Sequence, residues 1–158
     1  MASFTLSAFL CVAVLSSITL AFPSLLPGDC PIEWVNHNEN CYQYVSQARS
    51  WIDAELHCLS LGGNLASQHS LEDHFFLLVL QMYSGAKGPF WIGLSDVHKE
   101  GAWLWSDGSR VDFTVWNFGE PNSSGGNEDC VHSNFGDGDW NDSLCHRKYP
   151  FICSLRSY

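Results

Sequence analysis

Followed from the N-terminus, the apolar positions change pattern twice. Residues 1–21 are almost unbroken small and apolar side chains, with Ser16 and Ser17 near the end and Thr19-Leu20-Ala21 placing small residues three and one before a cut. The run falls short of the ~20 apolar residues a bilayer span needs, so it predicts a secretory signal peptide, though one without Lys or Arg at its start. The next pattern is helical. Ser50-Trp51-Ile52-Asp53 and Ser70-Leu71-Glu72-Asp73 both place a Ser hydroxyl and an acid where a helix N-terminus can use them. After the first, Ile52, Glu55, Leu56 and Leu59 fit one face, and Gly62-Gly63 supplies a left-handed stop. After the second, Phe75, Leu78, Val79 and Met82 repeat at helical spacing. Beyond Gly88 the pattern becomes short aromatic runs between turns: PFWIGL, AWLWSDG, VDFTVWNF, DCVHS and YPFICS. These predict strands, and helices followed by strands predict an α+β domain. From Asn117 to Trp140 there is little strand character over roughly two dozen residues, longer than the ~12–15 at which an unstructured loop needs a functional reason.

Length adds that 158 residues make one domain. The expected organisation is a signal peptide (1–21), a short N-terminal segment (22–29), the domain (30–153) and a C-terminal tail (154–158). No repeat, heptad run or collagen-like period suggests a stalk. The 7 basic and 17 acidic residues, a net charge of −10, all follow the leader, so nucleic acid and anionic membrane surfaces are poor partners. No later stretch is long enough to insert in a membrane. Between Asp96 and Asp142 lie ten of the 17 acids against only Lys99 and Arg110, which asks for a cation.

Cys11 belongs to the leader, leaving Cys30, Cys41, Cys58, Cys130, Cys145 and Cys153. An even set in a secreted chain predicts three disulfides, with 15 possible pairings. No pair has the tight spacing of a zinc knuckle. No thiol remains for an interchain bond, so any homo-oligomer is expected to be noncovalent.

The acidic loop GEPNSSGGNEDC is too rich in Gly and Ser for a helix or strand. Calcium takes 6–8 oxygens from carboxylates, amides, main chain and water, and Glu120, Asn122, Glu128, Asn141 and Asp142 offer that mixture. Asp137-Gly138-Asp139-Trp140-Asn141 starts like an EF-hand but has Asp142 where Gly is required and Lys148 where a bidentate Glu belongs.

FWIGLSD, Glu120-Pro121-Asn122, NEDC ending at Cys130, Trp140-Asn141-Asp142 and FICS together resemble the C-type lectin-like domain in its long form, from Cys30 to Cys153. The short signal-bearing chain is similar to free-standing secreted fish lectins of that family. The resemblance implies pairings Cys30–Cys41, Cys58–Cys153 and Cys130–Cys145, and two helices packed on a small antiparallel sheet with a long calcium-binding loop region. It also implies Trp91, Ile92 and Leu94 as core, a cis Pro121, and Ca2+ held by Glu120, Asn122, Glu128, Asn141 and Asp142. Carbohydrate would be read by Glu120, Asn122, Glu128 and Asn141. The Glu-Pro-Asn triplet implies a mannose-type preference for glycans on glycoproteins or microbial surfaces. A second metal set would be Asp96, Glu100, Glu128 and Asp129, with Ser123 standing where the family has Asp.

The seven histidines read as surface or packing residues, and no nucleophile elbow is present, so no catalytic residues and no enzyme activity are expected. The rivals keep the fold: a galactose preference, or an ice-binding or protein-binding role with structural calcium. An ice-binding face rich in Thr is not expected, because only Thr114 lies outside the leader. Asn122-Ser123-Ser124 and Asn141-Asp142-Ser143 are glycosylation sequons, expected to be protected by burial.

Overall fold

A computed structural model describes residues 30–157; the expected leader and segment 22–29 lie outside the described residues. In chain order the elements are β1 (Val35–His37), β2 (Asn40–Arg49), α1 (Trp51–Ser60), β3 (Asn64–Leu65), α2 (Leu71–Tyr83), β4 (Phe90–Ser95), β5 (Leu104–Trp105), β6 (Cys130–Phe135), β7 (Asp139–Ser143) and β8 (Tyr149–Arg156). The sheet order is β1-β2-β8-β4-β6-β7, with β3 on β8 and β5 on β4. Its pairs are antiparallel except β4 with β8, which run parallel at Trp91 and Phe151. The disulfides are Cys30–Cys41, Cys58–Cys153 and Cys130–Cys145, as the resemblance implied. Among the described residues no helix is long and apolar enough to cross a membrane.

Strand β4 explains the unbroken PFWIGL run, because both its faces are covered. Phe90, Ile92 and Leu94 pack with Leu77, Val131, Trp140 and Ile152. Trp91 points the other way, to Trp51, Ala54, Cys58 and Phe151.

Both helices start where the sequence places them. The Ser50 and Ser70 hydroxyls accept the main-chain N–H groups of Asp53 and Asp73 at 3.3 and 3.1 Å. At the end of α1, Gly62 N–H bonds Leu59 O and Gly63 N–H bonds Cys58 O, both at 3.0 Å, with Gly62 at φ 88°. This paired arrangement closes the helix with a left-handed residue.

The faces they bury differ from expectation. Ile52, Leu56 and Leu59 of α1 lie outward, and Trp51, Ala54, Glu55 and Cys58 lie inward. Specific bonds override hydropathy there: Cys58 is tied to Cys153, and Trp51 Nε1–H donates to Ile92 O at 2.8 Å. The buried Glu55 carboxylate accepts from Leu65 N–H, Asn64 Nδ2–H and Ser106 Oγ–H at 2.6–2.9 Å, so its charge is fully engaged. On α2, Phe75, Val79 and Met82 face solvent while His74, Leu77 and Gln81 are buried. Gln81 donates to Gly88 O and accepts from Asn134, at 2.8 and 2.7 Å, and His74 meets Gln68 at 3.0 Å.

Three further expectations change. VDFTVWNF forms no strand and touches the sheet through a parallel bridge of Trp116 to Trp140, because its aromatics pack as a cluster instead. The loop expected up to Trp140 is interrupted by β6 from Cys130. Residues Ser154 to Arg156, expected as tail, continue β8 against β2.

Two measurements follow from this packing. A Cβ at Gly63 would lie 2.1 Å from the Ser154 main-chain oxygen, so Gly63→Ala should destabilise the fold by at least ~1–3 kcal/mol in denaturant unfolding. Burial holds the His74 imidazole below its usual range, opposed by Asp139 at 3.8 Å. A group neutral in the fold but free to protonate when unfolded contributes stability that is complete above ~6.5 and is lost as pH falls below it. The melting temperature of metal-free protein should therefore decline on acidification below ~6.5, and His74→Gln should shallow that decline.

Candidate functional site

The site rests on the β6–β7 hairpin. Cys130 pairs with Ser143, Val131 with Asp142 and His132 with Asn141, and the Cys130–Cys145 disulfide closes one end. Trp140 anchors the hairpin from below. It is completely buried, lies edge-on to Trp105, Phe113 and Trp116 at 5.6–5.8 Å, and donates Nε1–H to Gln68 Oε1 at 3.0 Å. Its main chain then holds the entering loop: Trp140 N–H bonds Val115 O and Asn117 N–H bonds Trp140 O, both at 2.9 Å.

From Asn117 the chain turns through Phe118 and Gly119, and the Glu120–Pro121 bond is cis, as the resemblance implied. The loop is pulled back onto β7 by one carboxylate. Asp142, fully buried, accepts Asn122 N–H at 3.1 Å and Ser123 N–H at 2.6 Å. Glu128 accepts Ser124 N–H at 3.0 Å. Glu120 Oε2 is buried without a hydrogen-bond partner. Desolvation, then the neighbouring Asp142, with Glu128 adding, holds the Glu120 carboxyl above its usual range. Crowded acids with an orphaned oxygen are a donor set short of positive charge.

Asn141 completes the cluster from β7. Its Nδ2 lies 3.1 Å from His132 Nε2 and also contacts the Asp142 carbonyl. His132 is buried rather than at the surface. Burial pushes its imidazole down to about 4, against an opposing bond to the Ser133 carbonyl. The neutral ring accepts from the Asn141 amide, which leaves Asn141 Oδ1 free. A half-turn of that amide would exchange its nitrogen for oxygen beside the Asp142 carbonyl.

Of the second expected set, Asp96 has Glu100 and Asp129 as its charged neighbours. Asp96 is 2 % exposed; one oxygen accepts Gly101 N–H at 2.7 Å and Oδ1 has no partner. Desolvation first, then Glu100 and Asp129, raises its carboxyl. Asp96 N–H bonds Asp129 O at 3.1 Å, and Ser123 Oγ–H donates to Glu100 Oε2 at 3.2 Å. Ser123 thus links both acidic groups. Among the described residues no three His, Cys, Asp or Glu side chains are gathered closely enough to hold a metal by themselves. The five-residue set does not require that, since it counts two amides and main-chain oxygen, and the stranded oxygen of Glu120 fits a hard cation; the second set is all carboxylate, and its members are not gathered closely enough to hold a metal.

Two features escaped sequence reasoning. His132 gave no signal distinguishing it from the other histidines until β6 paired it with Asn141. Phe118, two residues before Glu120, is fully exposed, whereas its run reads as buried strand. Burial does not protect the Asn122 sequon, since that residue is exposed; in the other, Asn141 is half-buried and Ser143 fully buried.

Residues 47–155 match the Lectin C-type domain family, and the chain belongs to that family. It is 52 % identical over 165 residues to the lactose-binding lectin l-2 of Anguilla japonica, covering 99 % of this chain and 98 % of that one. Among solved structures, the cow C-type carbohydrate-recognition domain of CD23, determined with a GlcNAc2Man3 oligosaccharide, superposes with TM-score 0.75 at 34 % identity, covering 83 % of this chain and 98 % of that one. A calcium-independent type II antifreeze protein superposes with TM-score 0.76 at 32 % identity, covering 82 % and 96 %. Membership of a lectin family makes this a binding protein and not an enzyme.

Removing the Asp142 carboxylate strands two main-chain donors. In metal-free Asp142→Ala, amide exchange at Asn122 and Ser123 should quicken by about tenfold or more, from loss of on the order of 1–3 kcal/mol, while β4 amides keep their protection.

Proposed function

We propose that the chain is a secreted, calcium-dependent carbohydrate-binding lectin, with Glu120, Asn122, Glu128, Asn141 and Asp142 as its metal set. The observation that carries this reading is the buried, unpartnered Glu120 oxygen beside the buried Asp142 and Glu128 carboxylates. When bound, calcium would neutralise these acids and offer open coordination to a pair of sugar hydroxyls. The chain's own contribution is directional. Glu120 and Glu128 accept hydroxyl protons, while the Asn122 and Asn141 amides donate to hydroxyl oxygens. Asp142 holds the loop in place through the two amides described above.

Because Glu120 accepts and Asn122 donates, the site reads a vicinal equatorial pair of the mannose or glucose type. The 52 %-identical relative named for lactose binding supports a second reading, in which a galactoside is the ligand. The two are chemically compatible: lactose also carries equatorial vicinal hydroxyls, at positions 2 and 3 of both rings. Each contact competes with water, so single-site affinity near the millimolar level, about −4 kcal/mol, is expected. The fitting partners are dense glycans on glycoproteins or microbial surfaces.

Retention on mannan-agarose and on lactosyl-agarose, with calcium and with chelator, tests the reading. Binding should require calcium, and mannose should elute it at lower concentration than galactose. Glu120→Gln with Asn122→Asp should reverse that order, and Asp142→Ala should abolish retention on both matrices. Chelator-insensitive binding, or full retention by Asp142→Ala, would refute the proposed site.

A further inference from the structure

Both helices carry apolar side chains outward, and on α2 these form a continuous stripe. Leu71, Phe75, Val79 and Met82 fall within ~80° of the helical circumference. They are 54, 58, 42 and 62 % exposed, and Tyr83, 83 % exposed, borders them. The stripe is not a core face left loose, because His74, Leu77 and Gln81 fix the opposite side inward with the contacts given above. A whole aromatic side chain presents ~150–250 Å², so the exposed parts of these five amount to about 600 Å², the upper end of the largest patch on a typical monomer. Two such stripes supply about 1,200 Å², the lower bound for a stable interface.

We propose that this face docks a second copy of the chain, with two α2 helices crossing antiparallel about a two-fold axis. Charge selects the occupant. At a net charge of −10 most of the surface repels another copy. From His74 to Ala86, however, there is no Asp, Glu, Lys or Arg. Exposed Glu72 lies at the start of the stripe and exposed Lys87 just past its end. Antiparallel crossing brings each Glu72 toward Lys87 of the other copy, twice by symmetry, whereas parallel crossing sets Glu72 against Glu72. Stripe residues take no part in the Glu120–Asp142 site, so both copies keep it open. Pairing would then turn two weak sites into one avid binder.

The test is sedimentation of the full chain, produced by secretion, across a range of concentrations and in both calcium and chelator. The wild type should show the mass of two chains at high concentration, dissociating on dilution. Phe75→Glu and Met82→Glu should each weaken association at least tenfold, with circular dichroism unchanged. Leu56→Glu, on the exposed face of α1, should not. Glu72→Lys and Lys87→Glu should each weaken association, and together restore it. A wild type monomeric at every concentration overturns the proposal, as does a dimer indifferent to Phe75→Glu and Met82→Glu. So does a monomer whose stripe instead binds neutral phospholipid vesicles. Should Phe75→Glu misfold, Met82→Glu decides. Mass is read without sugar, so failure here is distinct from failure of the lectin reading.

Discussion

One buried carboxylate holds this molecule's loop region to its sheet. Asp142 sits near the end of the edge strand β7, fully buried, and it accepts two main-chain amides from 20 and 19 residues upstream. A fully buried anion is costly unless hydrogen bonded, so the loop cannot drift without exposing an unsatisfied charge. What places Asp142 is the strand itself, fixed by Trp140 among three aromatic rings and by the Cys130–Cys145 bridge. The rigid aromatic layer therefore positions a loop that has almost no apolar residues of its own.

The acidic loop illustrates a general tension. Glu120, Glu128 and Asp142 repel one another, and main-chain N–H groups relieve only part of that repulsion. Ser123 shows how close the two acidic groups lie: its N–H goes to Asp142 and its hydroxyl to Glu100. Filling one group with a cation would change the field felt at the other. The neighbouring folds, one solved with an oligosaccharide and another described as a calcium-independent antifreeze protein, show that the scaffold alone does not dictate the ligand.

The helices carry a different lesson. Both bury polar residues alongside apolar ones and leave large apolar side chains outside, so the buried face is not the one periodicity suggests. Glu55, His74 and Gln81 go inward because each meets donors or acceptors on another element, and a buried polar group with its partners in place is no worse than an apolar one. Ile52, Leu56, Phe75 and Met82 are left at the surface as a consequence. A helix such as α2, apolar on most sides from Phe75 to Leu80, has no single hydrophobic face to read, so the choice falls to those few bonds.

Local chemistry along the chain was enough for the helix starts, the glycine stop after α1, the doubly covered β4 run, and the mixture of acids and amides in the loop. Each of these depends on neighbours within a few residues, or on a side-chain set whose chemistry is independent of geometry. The resemblance implied the cysteine pairing and the cis Pro121, and the structure has both. Only the tertiary structure decided which helix faces are buried, that VDFTVWNF packs as a cluster instead of a strand, and that His132 lies against Asn141. Those outcomes depend on partners 6 to 95 residues away in sequence, as for His74 with Gln68 and Cys58 with Cys153. No local pattern encodes a contact that exists only once the sheet has formed.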